Sequence, residues 1–395
     1  MTKSIAQARV PRLLFVHNDV QHFLMHRLPF VAAAARAGYD IHVALPANGD
    51  SEPPHMDGVS VHAFTMSRRG MNPIRELGTL LSLIRLYARI RPTIVHHVTI
   101  KPIIYGNIAA TLTRVPAAVS TFSGLGHMFA QSDRLSRLFQ AIIKMMYRAG
   151  FRHSRQIAIF ENPDDLAEMT RDGTVPEPKA RLVLGVGIDV DEYYAMPEPD
   201  GVPVVVLASR MLRSKGVEVF VEAAKVIRSR GVRARLALCG RVDAGNPSGI
   251  PEAQLAAWAE GGVVEWWGWL PSALSVYERS SVVCLPTLYR EGVPRVLMEA
   301  ASCGRPIIAT DVPGCREIVQ QGINGLLVPK GDAVALADAI EQLVRDTAQR
   351  TAFGQNGREI VRQNFAEKRV MDATVGIYDE LVSGIDRGGR PLARR

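Results

Sequence analysis

The sequence has few features of a membrane-spanning or secreted protein. It contains no run of 18 consecutive apolar residues, which argues against a transmembrane helix. Only a short apolar run at positions 13–16 follows the polar N-terminus, so we expect no signal peptide. The four cysteines all lie in the second half without a Cys-x-x-Cys spacing. We therefore expect reduced, buried thiols in a cytoplasmic protein, and no metal site.

One long stretch is also poor in acidic residues. Positions 61–160 carry fourteen lysines and arginines but only two acids, Glu76 and Asp133. This excess is larger than the net charge of +8 of the whole chain, so the basic character belongs to the first half. It suits an anionic membrane surface or an anionic substrate. No nucleic-acid recognition motif accompanies it, and we expect no nucleic-acid partner.

The remaining composition is that of a folded protein with more than one domain. The chain has 395 residues, of which 47% are hydrophobic and 22% charged, and this length predicts two domains. Predicted strands alternate with helices from residue 12 onward, which indicates doubly wound parallel sheets in an α/β protein. The segment Met-Pro-Glu-Pro-Asp-Gly at 196–201 reads as a linker, after which the alternation restarts.

These patterns predict four segments. An N-terminal Rossmann-like domain spans residues 1–197. A C-terminal Rossmann-like domain spans 198–365. A helix at 366–385 packs back on the first domain, and the tail at 386–395 is disordered.

Two glutamates mark the most informative stretch, at 282–331. A short apolar strand ends at Pro286, and a helix is predicted to begin near Val293 or Pro294. Glu291 then precedes the helix and Glu299 lies within it, about 12 Å further along the axis. Two carboxylates flanking a helix N-terminus suit an elongated ligand with hydroxyls at both ends and a phosphate between them. The ordinary alternative is a pair of surface acids on an amphipathic helix.

Two cations follow the strand predicted at 203–208. Arg210 and Lys215 bracket a loop at the carboxyl end of that strand, where open α/β sheets bind their ligands. There they could neutralise a diphosphate. Solvated surface cations are the alternative interpretation.

Together these motifs resemble glycosyltransferase family 4, whose members are retaining enzymes of the GT-B fold. The resemblance rests on Ser209-Arg210, Lys215-Gly216, Trp267-Gly268-Trp269, the two glutamates separated by seven residues in Glu291 to Ala300, Gly304-x-Pro306 and Gly322-x-Asn324-Gly325. It implies two Rossmann-like doubly wound domains facing each other across a cleft, with C-terminal helices. The domain at 1–197 would face the acceptor and the membrane, and the domain at 198–365 would bind the nucleotide-sugar.

The resemblance also implies roles for individual residues. Arg210 and Lys215 would contact the diphosphate of a UDP-sugar donor, Glu291 the transferred sugar and Glu299 the ribose. The remaining implied donor-binding residues are Gly292, Val293, Pro294, Arg295 and Val296 for sugar and phosphate, Trp269 and Leu270 for the base, and Gly240. No cofactor and no metal are expected, because the two cations would neutralise the leaving group.

The first half is similar to a bacterial branch that adds sugars to undecaprenyl-diphosphate-linked acceptors, including GalNAc transferases acting on lipid-linked bacillosamine. The similar segments are 96–106, 122–126 and 161–165. Lys101 would then contact the acceptor diphosphate, while Gly124 and His127 lie in a loop expected near the donor sugar, with His127 a candidate catalytic residue. The paired glycines that often follow the first strand in this family are absent here, where residues 17–22 read His-Asn-Asp-Val-Gln-His.

Two basic amphipathic helices, predicted at 133–148 and 73–90, suit peripheral attachment to the inner face of the cell membrane. Their alternative is a core helix with a solvated basic face.

The leading hypothesis is a retaining transferase that moves a sugar, with N-acetylhexosamine favoured, from a UDP-sugar to a polyprenyl-diphosphate-linked saccharide in cell-surface polysaccharide or glycan biosynthesis. The alternatives are a UDP-sugar 2-epimerase, a transferase to a soluble acceptor, and an inactive sugar-nucleotide- or membrane-binding subunit.

Overall fold

A computed structural model describes residues 10–46, 54–66, 72–125, 134–243 and 245–383, with the side chains of 134–136 excepted. The chain forms two compact units. Of the described residues, unit 1 comprises those up to Ser123, then 134–183 and 370–383, and unit 2 comprises Gly124, Leu125 and Leu184–Arg369. The predicted disordered tail at 386–395 lies outside the described residues.

Unit 1 is built on a seven-stranded parallel sheet with the order β3-β2-β1-β4-β5-β6-β7. The central strands are almost continuously buried, as expected for parallel strands covered on both faces. The strands are β1 (Arg12–Val16), β2 (Asp40–Pro46), β3 (Ser60–Phe64), β4 (Ile94–Val98), β5 (Ala117–Phe122), β6 (Gln156–Phe160) and β7 (Ala180–Leu182).

Among the residues that the structure describes, six α-helices connect these strands: α1 (Val20–His26), α2 (Leu28–Arg36), α3 (Pro73–Ile90), α4 (Ile100–Leu112), α5 (Arg134–Gly150) and α6 (Pro163–Arg171). The sequence predicted one helix between β1 and β2, and this was wrong. The helix is interrupted at Arg27, the C-cap of α1 and N-cap of α2. Pro29 explains the interruption, because proline fits the first turn of α2 but not the interior of a longer helix.

Unit 2 contains a six-stranded parallel sheet with the order β10-β9-β8-β11-β12-β13. Its strands are β8 (Val204–Ala208), β9 (Arg235–Cys239), β10 (Glu265–Trp266), β11 (Val282–Leu285), β12 (Ile307–Thr310) and β13 (Gly325–Val328). Its helices are α7 (Val217–Ser229), α8 (Glu252–Glu260), α9 (Leu274–Glu278), α10 (Arg295–Ser302), α11 (Cys315–Ile318), α12 (Ala333–Arg345) and α13 (Thr347–Asn364). A final helix, α14 (Glu367–Ser383), belongs to unit 1 from Val370 onward.

The predicted linker at 196–201 lies in unit 2 and is hydrogen-bonded there. The buried Arg305 guanidinium donates to the carbonyls of Met196 and Pro197 at 3.1 and 2.6 Å. Arg350 pairs with Glu198 at 2.8 Å. The segment is therefore irregular in backbone but attached to unit 2.

Two adjacent histidines on β4 connect the sheet of unit 1 to helices on its two faces. His96 lies 2.6 Å from the Tyr378 hydroxyl on α14 and 2.7 Å from Thr121 Oγ1. His97 lies 2.9 Å from the Tyr87 hydroxyl on α3 and 2.9 Å from Asn107 Oδ1 on α4. Their opposite directions were expected from the alternation of side chains along a strand.

The prediction of buried, reduced thiols is confirmed, since all four cysteines are buried and free. Within the described ranges, no helix is both long and apolar enough to cross a membrane.

Burial keeps three histidines of unit 1 neutral. It lowers the pKa of His97 to about 3, partly offset by the hydrogen bond with Asn107. Burial also lowers the pKa values of His17 and His96 well below the ordinary value, with neighbouring histidines and Arg27 acting in the same direction. All ten histidines of the chain precede residue 154, so this acid sensitivity belongs to the first half.

We expect unit 1 to lose stability as the pH falls from about 6.5 towards 3, by roughly 1 kcal/mol per pH unit for each such histidine. The unfolded chain takes up these protons near pH 6.5, whereas folded His97 does so only near pH 3, so acid favours the unfolded state. Urea unfolding followed by circular dichroism between pH 7 and 4 measures the slope. His97→Gln should make it shallower, and His55→Gln, at an exposed site, should not. Equal slopes for His97→Gln and the parent protein would contradict this account.

Candidate active site

The candidate site lies where two neighbouring strands of unit 2 end. β8 and β11 pair in register through Val206 and Val283. β8 continues into residues 209–216 and β11 into residues 286–294. The connections diverge at this point, because β8 also pairs with β9 while β11 also pairs with β12. Such switch points are where open α/β sheets form ligand crevices.

Lys215 and Glu291 meet directly at this edge. Lys215 Nζ donates to Glu291 Oε1 at 2.6 Å, and both side chains are largely buried, at 16% and 12% exposure. Thr287 Oγ1 lies 2.9 Å from the same carboxylate oxygen. The ion pair thus links the residue predicted to contact the diphosphate, Lys215, to the residue predicted to contact the sugar, Glu291.

The surroundings keep Lys215 protonated. Burial lowers the pKa of its ammonium group, but the Glu291 carboxylate and Tyr289 raise it by more, so the pKa lies above the ordinary lysine value. The ammonium nitrogen also lies 5.1 Å from the centre of the Tyr289 ring. A fixed positive charge is therefore available beside the carboxylate.

A close approach of two backbones positions this pair. Gly216 has a φ of +78°, which favours glycine, and a Cβ there would collide with the Pro286 carbonyl oxygen. Leu288 N donates to the Ser214 carbonyl at 2.9 Å, tying the two loops together. The Lys-Gly pair of the motif thus combines a charge with the residue that lets it approach β11.

Arg210 lies at the exposed side of the same loop. Its Nη1 donates to Asp243 Oδ2 at 3.0 Å, and its side chain is 47% exposed. The two side chains predicted to contact the diphosphate therefore differ in exposure. Lys215 is buried and paired with Glu291, whereas Arg210 is accessible and paired with Asp243.

The second glutamate lies on α10, which begins at Arg295 with Pro294 as its N-cap, close to the predicted start. Glu299 is 7% exposed. Its two oxygens accept hydrogen bonds from the Tyr277 hydroxyl at 2.6 Å and from Arg295 Nε at 2.7 Å. The side chain of Arg295 is thus used inside the protein and orients Glu299.

The backbone leading to α10 is tightly enclosed. Glu291 N donates to the Pro313 carbonyl at 3.2 Å. A Cβ on Gly314, whose φ is +88°, would collide with the Gly292 carbonyl oxygen. Val293 is buried and Val296 is partly buried. The backbone at 292–296, which is predicted to bind sugar and phosphate, is therefore held in position by its contacts with residues 313 and 314.

Gly240 and the two residues predicted near the base lie in the connections that follow β9 and β10. Gly240 N donates to the Gly268 carbonyl at 2.7 Å. Gly240 has a φ of +148°, and a Cβ there would collide with the Ser209 carbonyl oxygen. Trp269 is about half exposed, with the Arg241 guanidinium carbon 3.9 Å from its ring centre. Leu270 follows in the same loop and is partly buried.

Of the three candidates from the first half, one lies in unit 1, one lies beside the site in unit 2 and one falls outside the described residues. Lys101, on α4 of unit 1, pairs with Glu76 at 2.6 Å, and both are mostly buried. Gly124 belongs to unit 2, where a Cβ would lie 2.7 Å from Gly292 N. His127 falls outside the described residues, so its predicted role stays a prediction. In the parts of the chain that the structure describes, no group of three or more His, Cys, Asp or Glu side chains is arranged to hold a metal ion.

Sequence reasoning missed three side chains that orient the predicted ligands. Thr287 contacts Glu291, Tyr277 contacts Glu299 and Asp243 contacts Arg210. Thr287 follows the strand-ending Pro286, which was a usable signal. Tyr277 and Asp243 come from other strand connections, and no local spacing links them to their partners.

Two parallel-sheet α/β units with C-terminal helices, and a cation–carboxylate site at a switch point, are the architecture of a GT-B glycosyltransferase. The model of glycosyl transferases group 1 matches residues 202–346, and the glycosyl transferase 4-like model matches residues 12–161. Together they cover most of the chain. The chain belongs to this family of glycosyltransferases, and the predictions of family, fold class and enzyme class are confirmed.

Curated relatives of nearly full length support the same class. The chain is 23% identical over 390 residues, 95% of this chain and 100% of the relative, to N,N'-diacetylbacillosaminyl-diphospho-undecaprenol alpha-1,3-N-acetylgalactosaminyltransferase of Campylobacter jejuni. It is 26% identical over 355 residues to the capsular polysaccharide biosynthesis glycosyltransferase CapM of Staphylococcus aureus, covering 86% of this chain and 90% of CapM.

Solved structures show the same fold at low sequence identity. Sucrose-phosphate synthase of Thermosynechococcus elongatus has a TM-score of 0.79 with this chain and 21% sequence identity, over 95% of this chain and 100% of the other. HepE of Anabaena, solved in complex with UDP, has a TM-score of 0.73 and 18% identity, over 93% and 100% of the two chains.

Gly216→Ala should disrupt the site far more than Gly331→Ala. The two glycines have nearly equal φ values, +78° and +76°, but only Gly216 would bring a Cβ against backbone, whereas nothing lies within 4 Å at Gly331. We expect a cost of about 1–2 kcal/mol from φ alone at Gly331, and a larger loss with little remaining transferase activity at Gly216. Denaturant unfolding and activity of both variants test this. Similar effects of the two substitutions would show that the approach to Pro286 is not needed.

Proposed function

We propose that this glycosyltransferase transfers a sugar from a UDP-sugar to a polyprenyl-diphosphate-linked saccharide with retention of anomeric configuration. N-acetylhexosamine is the sugar we favour, and the product would enter a cell-surface polysaccharide or glycan. The observation that carries the donor half is the buried Lys215–Glu291 pair at the β8–β11 switch point. This pair presents both a fixed cation and a carboxylate to one ligand.

The donor is proposed to lie along the carboxyl edge of unit 2. Lys215 and Arg210 would contact the diphosphate, Glu291 the hydroxyls of the transferred sugar and Glu299 the ribose. The base would lie near Gly240, Trp269 and Leu270. Support for UDP comes from the fold shared with HepE, which was solved in complex with UDP.

The chemistry follows from the charges at this edge. As the bond to the leaving diphosphate breaks, negative charge grows on the phosphate and positive charge on the sugar ring. Arg210, Lys215 and the first backbone N–H groups of α10 would stabilise the phosphate charge. Glu291 would hold the sugar and stabilise the positive ring. On this proposal the cations neutralise the leaving group without a metal ion.

Substitutions at the ion pair separate sugar transfer from nucleotide binding. Glu291→Gln should lower transfer by about 10²–10³-fold and leave UDP affinity within a few-fold, because Gln can still accept from Lys215 and Thr287. Lys215→Ala should weaken UDP binding about tenfold or more. Calorimetry with UDP and a transfer assay, with and without excess EDTA, measure both effects. Equal losses of UDP affinity would contradict the assignment, and strict dependence on a divalent metal would contradict neutralisation by the cations alone.

The proposed acceptor is a lipid-linked saccharide. One supporting observation is the Campylobacter relative, whose name includes a diphospho-undecaprenol acceptor and whose full length this chain covers. A second is the surface of unit 1, where α3 and α5 both pack against α4 and all three helices begin after a strand.

Both flanking helices expose apolar stripes at helical spacing in unit 1. On α3, Ile74, Leu77 and Leu81 are 83%, 57% and 40% exposed. On α5, Leu138, Ile142 and Met145 are 58%, 40% and 60% exposed. Exposed basic side chains accompany them, including Arg75 and Arg137. Lys144 and Arg148, also on α5, lie near Asp172, so part of the positive charge of this predicted basic helix is neutralised. We propose these stripes as the membrane-contacting surface at the inner face of the cell membrane.

Removing one stripe tests the membrane proposal. Leu138→Ser combined with Ile142→Ser should lower binding to anionic vesicles about tenfold or more, since each exposed apolar side chain contributes about 1 kcal/mol when it enters the interface. Sedimentation with phosphatidylglycerol vesicles measures this. The control is Leu112→Ser, which changes a 62% exposed leucine at the C-terminal end of α4, outside both stripes. Absence of binding by the parent protein would favour a soluble acceptor.

A further inference from the structure

Each of the three cations in the 209–216 loop is paired with a carboxylate. Arg210 pairs with Asp243 at 3.0 Å, Arg213 with Glu218 at 3.0 Å and Lys215 with Glu291 at 2.6 Å. Glu291 has a proposed role with the donor sugar, and Arg213 has a structural one, since its Nη1 also donates to the Gly249 carbonyl at 3.0 Å. Asp243 is the carboxylate of these three pairs to which the proposed reaction assigns no role.

The loop that carries Asp243 is fixed to the cation loop. Met211 N donates to the Arg241 carbonyl at 2.9 Å, and Ile250 N to the Met211 carbonyl at 2.9 Å. Between them, Arg213 N donates to the Ser248 carbonyl at 2.7 Å and Ser214 N to Ser248 Oγ at 2.9 Å. The distance between Asp243 and Arg210 is therefore set by backbone contacts between two loops.

Asp243 is also held within its own turn. Its carbonyl accepts from Asn246 N at 3.0 Å, and its Oδ2 lies 3.4 Å from Asn246 Nδ2. The carboxylate is mostly covered, at 26% exposure, while Arg210 is 47% exposed. Arg210 is thus the more accessible partner of this ion pair, so its guanidinium is open to solvent or a ligand while it is paired with Asp243.

We propose that Asp243 is a built-in competitor for Arg210, which the diphosphate of the donor must displace or share, and that it weakens nucleoside diphosphate binding and speeds product release. This rests on the proposed function, in which Arg210 contacts that diphosphate. A guanidinium that serves a carboxylate has fewer donors for phosphate oxygens. The carboxylate and diphosphate also repel each other, an effect that salt screens. Release of product limits the turnover of many enzymes, so weaker binding of UDP favours turnover.

The test is UDP binding by Asp243→Asn. Asparagine keeps the shape and the turn but removes the charge, so the affinity for UDP should rise about two- to fivefold at low salt, the range expected from an exposed ion pair. The rise should appear mainly as slower dissociation in stopped-flow measurements and should shrink as salt is added. Uridine, which lacks phosphates, should bind both proteins equally.

Two further variants assign the effect to the pair. Glu218→Gln removes a nearby negative charge that pairs with Arg213 and should leave UDP affinity unchanged. In an Arg210→Met background, Asp243→Asn should no longer tighten UDP, because the competed-for group is gone. Tightening of similar size in either case would overturn the competitor role and assign the effect to overall charge.

The outcomes separate this inference from the proposed function. If the parent protein binds UDP and Asp243→Asn binds it equally or more weakly while unfolding normally, the competitor role is overturned. If the parent protein does not bind UDP at all, the proposed donor fails and this inference fails with it.

Discussion

The site depends on the contact between Lys215 and Glu291, which are 76 residues apart in the chain. It exists because β8 and β11 are hydrogen-bonded neighbours although two further strands lie between them in sequence. Gly216 and Gly314 allow the backbones on either side to come close enough. A buried ion pair of this kind requires good geometry and further hydrogen bonds, and Thr287 supplies one of them. The sheet topology therefore comes before the chemistry.

The positive charges at the same edge are balanced by carboxylates of the protein itself. Each cation of the 209–216 loop is matched by a carboxylate, and Glu299 is matched by Tyr277 and Arg295. Pairing keeps the loop ordered, since unpaired charges in a partly buried loop would repel or draw in water. It also means that an anionic ligand exchanges one set of partners for another, so its affinity reflects a difference between two favourable arrangements.

The two units use polar groups in different ways. In unit 1, buried histidines at the centre of the sheet are neutral and connect β4 to helices on opposite faces. The pKa values of these histidines are lowered by burial, so they contribute to packing at neutral pH and to acid sensitivity below it. In unit 2, the charged groups gather at the carboxyl edge, where the lysine pKa is raised by its carboxylate partner. The exposed apolar stripes of α3 and α5, which we propose to contact the membrane, belong to unit 1.

Much of the fold and several residues of the candidate site could be predicted from the sequence. The alternation of apolar strands with helices predicted parallel sheets, and Pro294 with the apolar stripe after it predicted a helix starting between Glu291 and Glu299, because these patterns depend on local periodicity and on proline. Arg210 and Lys215 were recognisable because they follow a strand end. The break at Arg27 was missed, although Pro29 was a local signal for it. Tertiary structure alone decided which groups touch: that Lys215 pairs with Glu291, that Asp243 reaches Arg210, that Tyr277 orients Glu299 and that Lys101 is paired with Glu76. Such contacts join loops after different strands, and their distances are set by strand order and backbone approach, which no local pattern encodes.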